Sequence, residues 1–91
     1  MVPETFREVW RFTVIVIVGP VLKHAEGYRF ATCTTGKGVN TSYPYSRIED
    51  AYYARNATIK GAGRRNTSAT LVCQTLDEFI AKSSAYERLA A

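Results

Sequence analysis

The side chains able to make or break bonds are few and scattered. The chain has one histidine, His24, next to Lys23, and two cysteines, Cys33 and Cys73. Nucleophilic catalysis needs a thiol or hydroxyl beside a base that a third group orients. His24 with Cys33 is the one pairing on offer, and no third member is suggested. Two cysteines and one histidine fall short of the four ligands of a structural zinc, and no carboxylates cluster to complete the set, so no metal and no cofactor is expected. Carboxylates occur as the neighbours Glu49–Asp50 and Asp77–Glu78. Each pair falls in the first turn of an expected helix, where acidic groups complement the helix dipole. The stretch Thr34-Thr35-Gly36-Lys37-Gly38 is faintly like a phosphate loop, but Ala31 stands where the earlier glycine belongs and no Ser or Thr follows Lys37. A hairpin turn accounts for it better. The reading is therefore not an enzyme, with no catalytic residues.

Binding chemistry is better represented. Of 91 residues, twelve are Lys or Arg and eight are Asp or Glu, a net charge of +4. The excess sits mid-chain: residues 28–66 hold Arg29, Lys37, Arg47, Arg55, Lys60, Arg64 and Arg65 against Glu49 and Asp50 alone. A positive field of this kind favours anionic partners, such as nucleic acid or an acidic protein surface. Aromatic residues are interleaved with it, at Tyr28, Phe30, Tyr43 and Tyr45. Such side chains on a sheet can stack bases while Arg and Lys neutralise phosphates. They equally well form core if they point inward. The candidate partner-binding set is Arg29, Lys37, Tyr43, Tyr45, Arg47, Arg55, Lys60, Arg64 and Arg65.

These residues must be positioned by a small scaffold, expected as a single domain over residues 1–91. Five β-branched residues in a row, at 14–18, cannot alternate a wet face with a dry one. They read as a strand over 9–18 buried on both sides, or as a surface awaiting a partner. Gly19-Pro20 breaks it, because proline lacks the N–H that an interior ladder needs. Alternation predicts a second strand over 28–35. The Gly36-Lys37-Gly38 turn returns the chain as a third strand over 39–43. Ser46 and Glu49 form a capping-box pattern opening a helix over 47–60, ended by Gly61 and Gly63. Its apolar stripe of Ile48, Ala51, Tyr52 and Ile59 is interrupted by Arg55, whose stem can lie along it. A fourth strand follows over 67–74, then a second capping box at Thr75 and Glu78 and a helix over 76–89. The expected fold is α+β: a small four-stranded, mainly antiparallel sheet in the order β-β-β-α-β-α, with two helices on one face.

Covering one face leaves the other short of cover. A homodimer packed through the sheet, a heterologous partner, or a small tolerated apolar area would each answer that. The cysteines, both in apolar strand-like stretches, read as buried reduced thiols. The apolar stretch at 12–22 is too short to span a bilayer. With Glu4 and Glu8 before it, it makes a poor secretion leader, so no membrane partner and a cytoplasmic location are expected.

A three-stranded meander followed by a helix resembles, over residues 28–60 and in layout only, the small domains by which phage integrases and some plant regulators place a sheet in a DNA groove. No diagnostic motif of those domains is present. In general character (small, basic, without chemistry) the chain resembles the accessory and inhibitory proteins that viruses and mobile elements make against host machinery. Two functions follow as expectations. One is a non-enzymatic module docking on a protein partner with an acidic surface, as an inhibitor of a host nucleic-acid-handling protein would. The other is direct nucleic-acid binding through the basic, aromatic sheet and the helix-exit arginines.

Overall fold

In a computed structural model, residues 14–64 and 69–90 are described. The expected strand residues 9–13, the turn residue Arg65 and residues 66–68 lie outside them, as does the side chain of Arg64. Among the described residues, six strands and two helices run in the order β1 (Ile15–Val18), β2 (Leu22–His24), β3 (Gly27–Arg29), β4 (Ala31–Thr34), β5 (Gly38–Thr41), α1 (Ile48–Arg64), β6 (Ala69–Val72) and α2 (Leu76–Ala90). The fold is α+β, with a four-stranded sheet ordered β5-β4-β1-β6 and a separate two-stranded β2-β3 hairpin.

The β-branched run fits an extended backbone, where Val and Ile lose little side-chain freedom. It becomes a central strand, flanked by β4 and β6. Ile15 and Ile17 project to one side and cluster with Cys33, Cys73 and Phe79. Val18 projects to the other side, yet Val18 and Ile17 are both fully buried. The carboxyl end of the strand is thus buried on both faces, whereas Val16, on the Val18 side, is only partly covered. Pairing persists one residue beyond it, where the Gly19 N–H donates to the Ala31 carbonyl at 2.8 Å. Pro20 can offer no such donor, and the chain turns off into β2.

The strand expected over 28–35 is two strands in two sheets. Residues 27–29 pair with β2, whereas residues 31–34 pair with β1 and β5. Phe30 is the hinge between them. Its N–H donates to Ser42 Oγ at 3.1 Å and its carbonyl accepts from the Ser42 N–H at 2.9 Å. Its ring is 5 % exposed. An unbroken period of two in sequence carries no mark of such a change of partner.

The sheet is mixed, not mainly antiparallel. β1 pairs antiparallel with β4 but parallel with β6, in the register Ile15↔Ala69 to Val18↔Val72. The cause is the connection. β5 runs in the same direction as β1, two antiparallel steps away. A helical crossover from β5 then lays β6 down in that same direction, on the far side of β1. Right-handed crossover puts α1 on the Val18 side. Phe79 puts α2 on the Ile15 and Ile17 side. The helices therefore flank the sheet, rather than sharing one face, and that is why Val18 needs no second molecule to cover it.

Two local features also depart from expectation. α1 continues through Gly61 to Arg64 because Ala62, 7 % exposed, is still packed. A helical glycine costs only about 1 kcal/mol against alanine. At the start of α1, the Glu49 carboxylate is taken by Arg47 Nε at 3.2 Å and does not close a box with Ser46. At α2 half of the box forms. The Glu78 N–H donates to Thr75 Oγ1 at 3.1 Å, but the Glu78 carboxylate takes the N–H of Gln74, one residue before Thr75, at 3.1 Å.

Candidate binding pocket and basic surface

Because β1 and β6 are adjacent and parallel, their carboxyl ends open side by side. The chain leaves β1 through Gly19 and Pro20, and leaves β6 through Cys73 and Gln74. In mixed and parallel sheets, the crevice outside the carboxyl ends of strands is where ligands collect. A pocket of about 360 Å³ lies there. Residues 20–22 form one wall, Tyr52 and Arg55 of α1 a second, and residues 74–76 a third.

Arg55 organises this end of the sheet. It is 7 % exposed. Its Nε donates to the Gly19 carbonyl at 2.7 Å and its Nη2 to the Cys73 carbonyl at 2.9 Å, so one guanidinium ties together the exits of both strands. Among the described residues it makes no ion pair. A buried charge is tolerated only when its polar groups are met. Here two carbonyl dipoles meet part of it. Beside it, the Cys73 thiol has its pKa pushed up, first by burial and then by the Glu78 carboxylate, with Lys82 and Arg55 pulling the other way.

Part of the pocket lining is both apolar and exposed. Tyr52 and Leu76 line the pocket and are 45 % and 44 % exposed. Ile48, one helical turn before Tyr52, and Ile80, one turn after Leu76, extend the same strips and are exposed too.

The other sequence-predicted residues do not converge there. Lys37 is exposed at the tip of the β4–β5 hairpin, and Lys60 is exposed late in α1. Arg47 is exposed and paired with Glu49. Arg29 is partly covered and pairs with Glu26 at 3.2 Å, while its buried Nε has no hydrogen-bond partner. Tyr43 is 73 % exposed and meets Tyr45 edge to face at 5.5 Å. Tyr45 is anchored through backbone bonds to Tyr28 at 2.7 and 2.9 Å. The Tyr28 ring is partly covered, with Lys23 Nζ 6.0 Å from its centroid. Phe30 is core. Among the described members of the candidate set, only Arg55 lines the pocket, and it does so as a buried side chain rather than as a surface cation.

His24 is exposed on the β2–β3 hairpin, whereas Cys33 is buried in the Ile17 cluster of the other sheet. Neither cysteine is in a disulfide. Among the described residues no three His, Cys, Asp or Glu side chains gather as metal ligands, and no helix is long and apolar enough to cross a membrane. Every lining residue but Arg55 was missed from sequence, Leu22, Tyr52, Gln74 and Leu76 among them. The signal that could have found them is the charged break at Arg55 in an otherwise apolar helix stripe. Comparison of the chain with protein-family models, curated proteins and solved structures returns no match.

Proposed function

We propose that the chain is a non-enzymatic binding module that docks on a protein partner with an acidic surface, in the manner of a viral or mobile-element inhibitor of a host nucleic-acid-handling protein. The observation that supports this best is the exposed apolar side chains of Tyr52 and Leu76, with Ile48 and Ile80 a turn away on the same helices, at a pocket that the buried cation Arg55 also lines. Exposed apolar side chains set around a charged centre are the usual make-up of a docking patch. The positive mid-chain field would steer an acidic partner toward it. A cytoplasmic setting fits two buried cysteines that are not joined in a disulfide.

The test is capture from native lysate with immobilised protein, comparing the wild type with Tyr52→Asp/Leu76→Asp. Both positions are near half exposed, so the double variant should fold. Specific capture by the wild type alone supports the reading; equal capture by both overturns it.

Direct nucleic-acid binding is the alternative, and exposed Tyr43 beside Tyr45 and near Arg47 favours it. Anisotropy titration of duplex and single strands separates the two readings, because phosphate neutralisation weakens steeply with salt. Absence of binding at low salt rules this alternative out.

A further inference from the structure

We propose that the pocket at the carboxyl ends of β1 and β6 binds a monocarboxylate carried on a short aliphatic body, with Arg55 as its anion-binding residue. A guanidinium has five N–H donors and stays charged. Arg55 is more than nine-tenths buried, and its hydrogen bonds to Gly19 and Cys73 use Nε and Nη2. No carboxylate among the described residues neutralises it. The same side chain forms part of the pocket wall, so the remaining donors and the uncompensated charge belong to a space of about 360 Å³. That volume is at the small end of ligand cavities.

The rest of the lining sets the chemical class. Pro20, Leu22 and Leu76 supply apolar wall, while Gln74 and Thr75 add short polar groups. A planar carboxylate matches the fork of a single guanidinium. A phosphate dianion fits less well. One cation cannot balance it, and Glu78, which accepts from the Gln74 N–H at 3.1 Å, adds negative charge beside the pocket. The N-terminus of α2 is not part of the argument, since Thr75 and Glu78 already occupy it. The carboxylate could arrive on a free acid or on a partner's acidic side chain. The pocket does not depend on the docking reading.

The test is a titration of 15N-labelled protein followed by NMR. The probes are 4-methylpentanoate, its amide, inorganic phosphate, and the capped peptide acetyl-Leu-Glu-Leu-amide. The expected result is saturable shifts of the amides of Val21, Leu22, Gln74 and Leu76 with a carboxylate probe. The amide and phosphate should bind at least roughly tenfold more weakly, as loss of a charge-assisted pair requires. Tighter binding of the free acid assigns a small-molecule ligand; tighter binding of the peptide assigns a partner's side chain. Arg55→Gln should abolish the shifts, and Tyr52→Ala, at a half-exposed position, should weaken them. Should Arg55→Gln fail to fold, the acid-against-amide comparison on the wild type still decides. The inference is overturned if acid and amide bind alike, if phosphate binds as well as the acid, if no probe saturates, or if the shifts gather at Lys37, Arg47 and Lys60. A pocket that binds its probe in a protein that captures no partner would sink the docking reading alone.

Discussion

Replacing Arg55 by methionine probes the joint on which the binding end of the molecule depends. Methionine keeps the length of the stem and its packing in α1 while removing the guanidinium. Two hydrogen bonds from a charged donor are lost, at 2.7 Å to Gly19 and 2.9 Å to Cys73. At about 1.5–3 kcal/mol each, the gross loss is about 3–6 kcal/mol. The variant no longer buries a charge, and a relief of several kcal/mol on that account offsets part of the loss. Water entering from the pocket satisfies the two carbonyls only in part. The net expectation is a destabilisation of about 2 kcal/mol, out of a total of about 5–13 kcal/mol for a chain of this size. At about 4–8 °C per kcal/mol, the melting temperature should fall by about 8–16 °C. The assay is urea unfolding followed by circular dichroism, with Lys60→Met, a change at an exposed cation, as the control. An Arg55→Met protein as stable as the wild type, or more stable, would refute the reasoning. It would mean that the buried cation is a net burden and does not join the two strand ends.

Four further outcomes follow from the same geometry. Gly27 has φ +143°, and an added Cβ would lie 2.6 Å from the Tyr45 carbonyl oxygen, so Gly27→Ala should cost at least about 1–3 kcal/mol in denaturant unfolding. Gly61 sits inside α1 with nothing within 4 Å of an added Cβ, so Gly61→Ala should raise stability by about 0.4–1 kcal/mol, and a loss would contradict the helical assignment there. The folded Cys73 thiol has its pKa raised above the ordinary 9.0, so the unfolded chain loses that proton first as pH rises. Stability from this group is fully present below pH 9.0 and should decline as pH climbs from there through the folded value, a decline that Cys73→Ala should remove from a pH series of melts. Both thiols are 1 % exposed or less, so alkylation in the native state should be far slower than in urea.

The placing of the two helices, of the strand between them and of the first strand was legible because each rests on local signals. An unbroken β-branched run at 14–18 has no wet face, and Gly19-Pro20 must end it. The hairpin at Gly36–Gly38 was legible for the same reason, with φ of 82° and 80° at its glycines. What escaped reading is set by distant partners. The alternation over 28–35 is the same whether one sheet or two receives it, and the break at Phe30 is made by Ser42, twelve residues on. The direction of β6 depends on where β5 ends, which no periodicity within 67–74 encodes. The pocket shares that fate. Arg55 stood out as a charge within an apolar stripe, but its role as a tie between Gly19 and Cys73 needs the parallel pairing of β1 with β6. Glu49 shows a local competition: Arg47, two residues away, offers it a charged donor where Ser46 offers only a backbone N–H.

The claim at the centre of this account is that the protein adheres through the face around Tyr52 and Leu76. Hydrogen–deuterium exchange of the captured complex against the free protein tests it most directly. Slowed exchange over the amides of 48–55 and 74–80, with the β4–β5 hairpin unchanged, is the predicted result. Slowing confined to that hairpin and to Tyr43, with the pocket face exchanging as in the free protein, would contradict it.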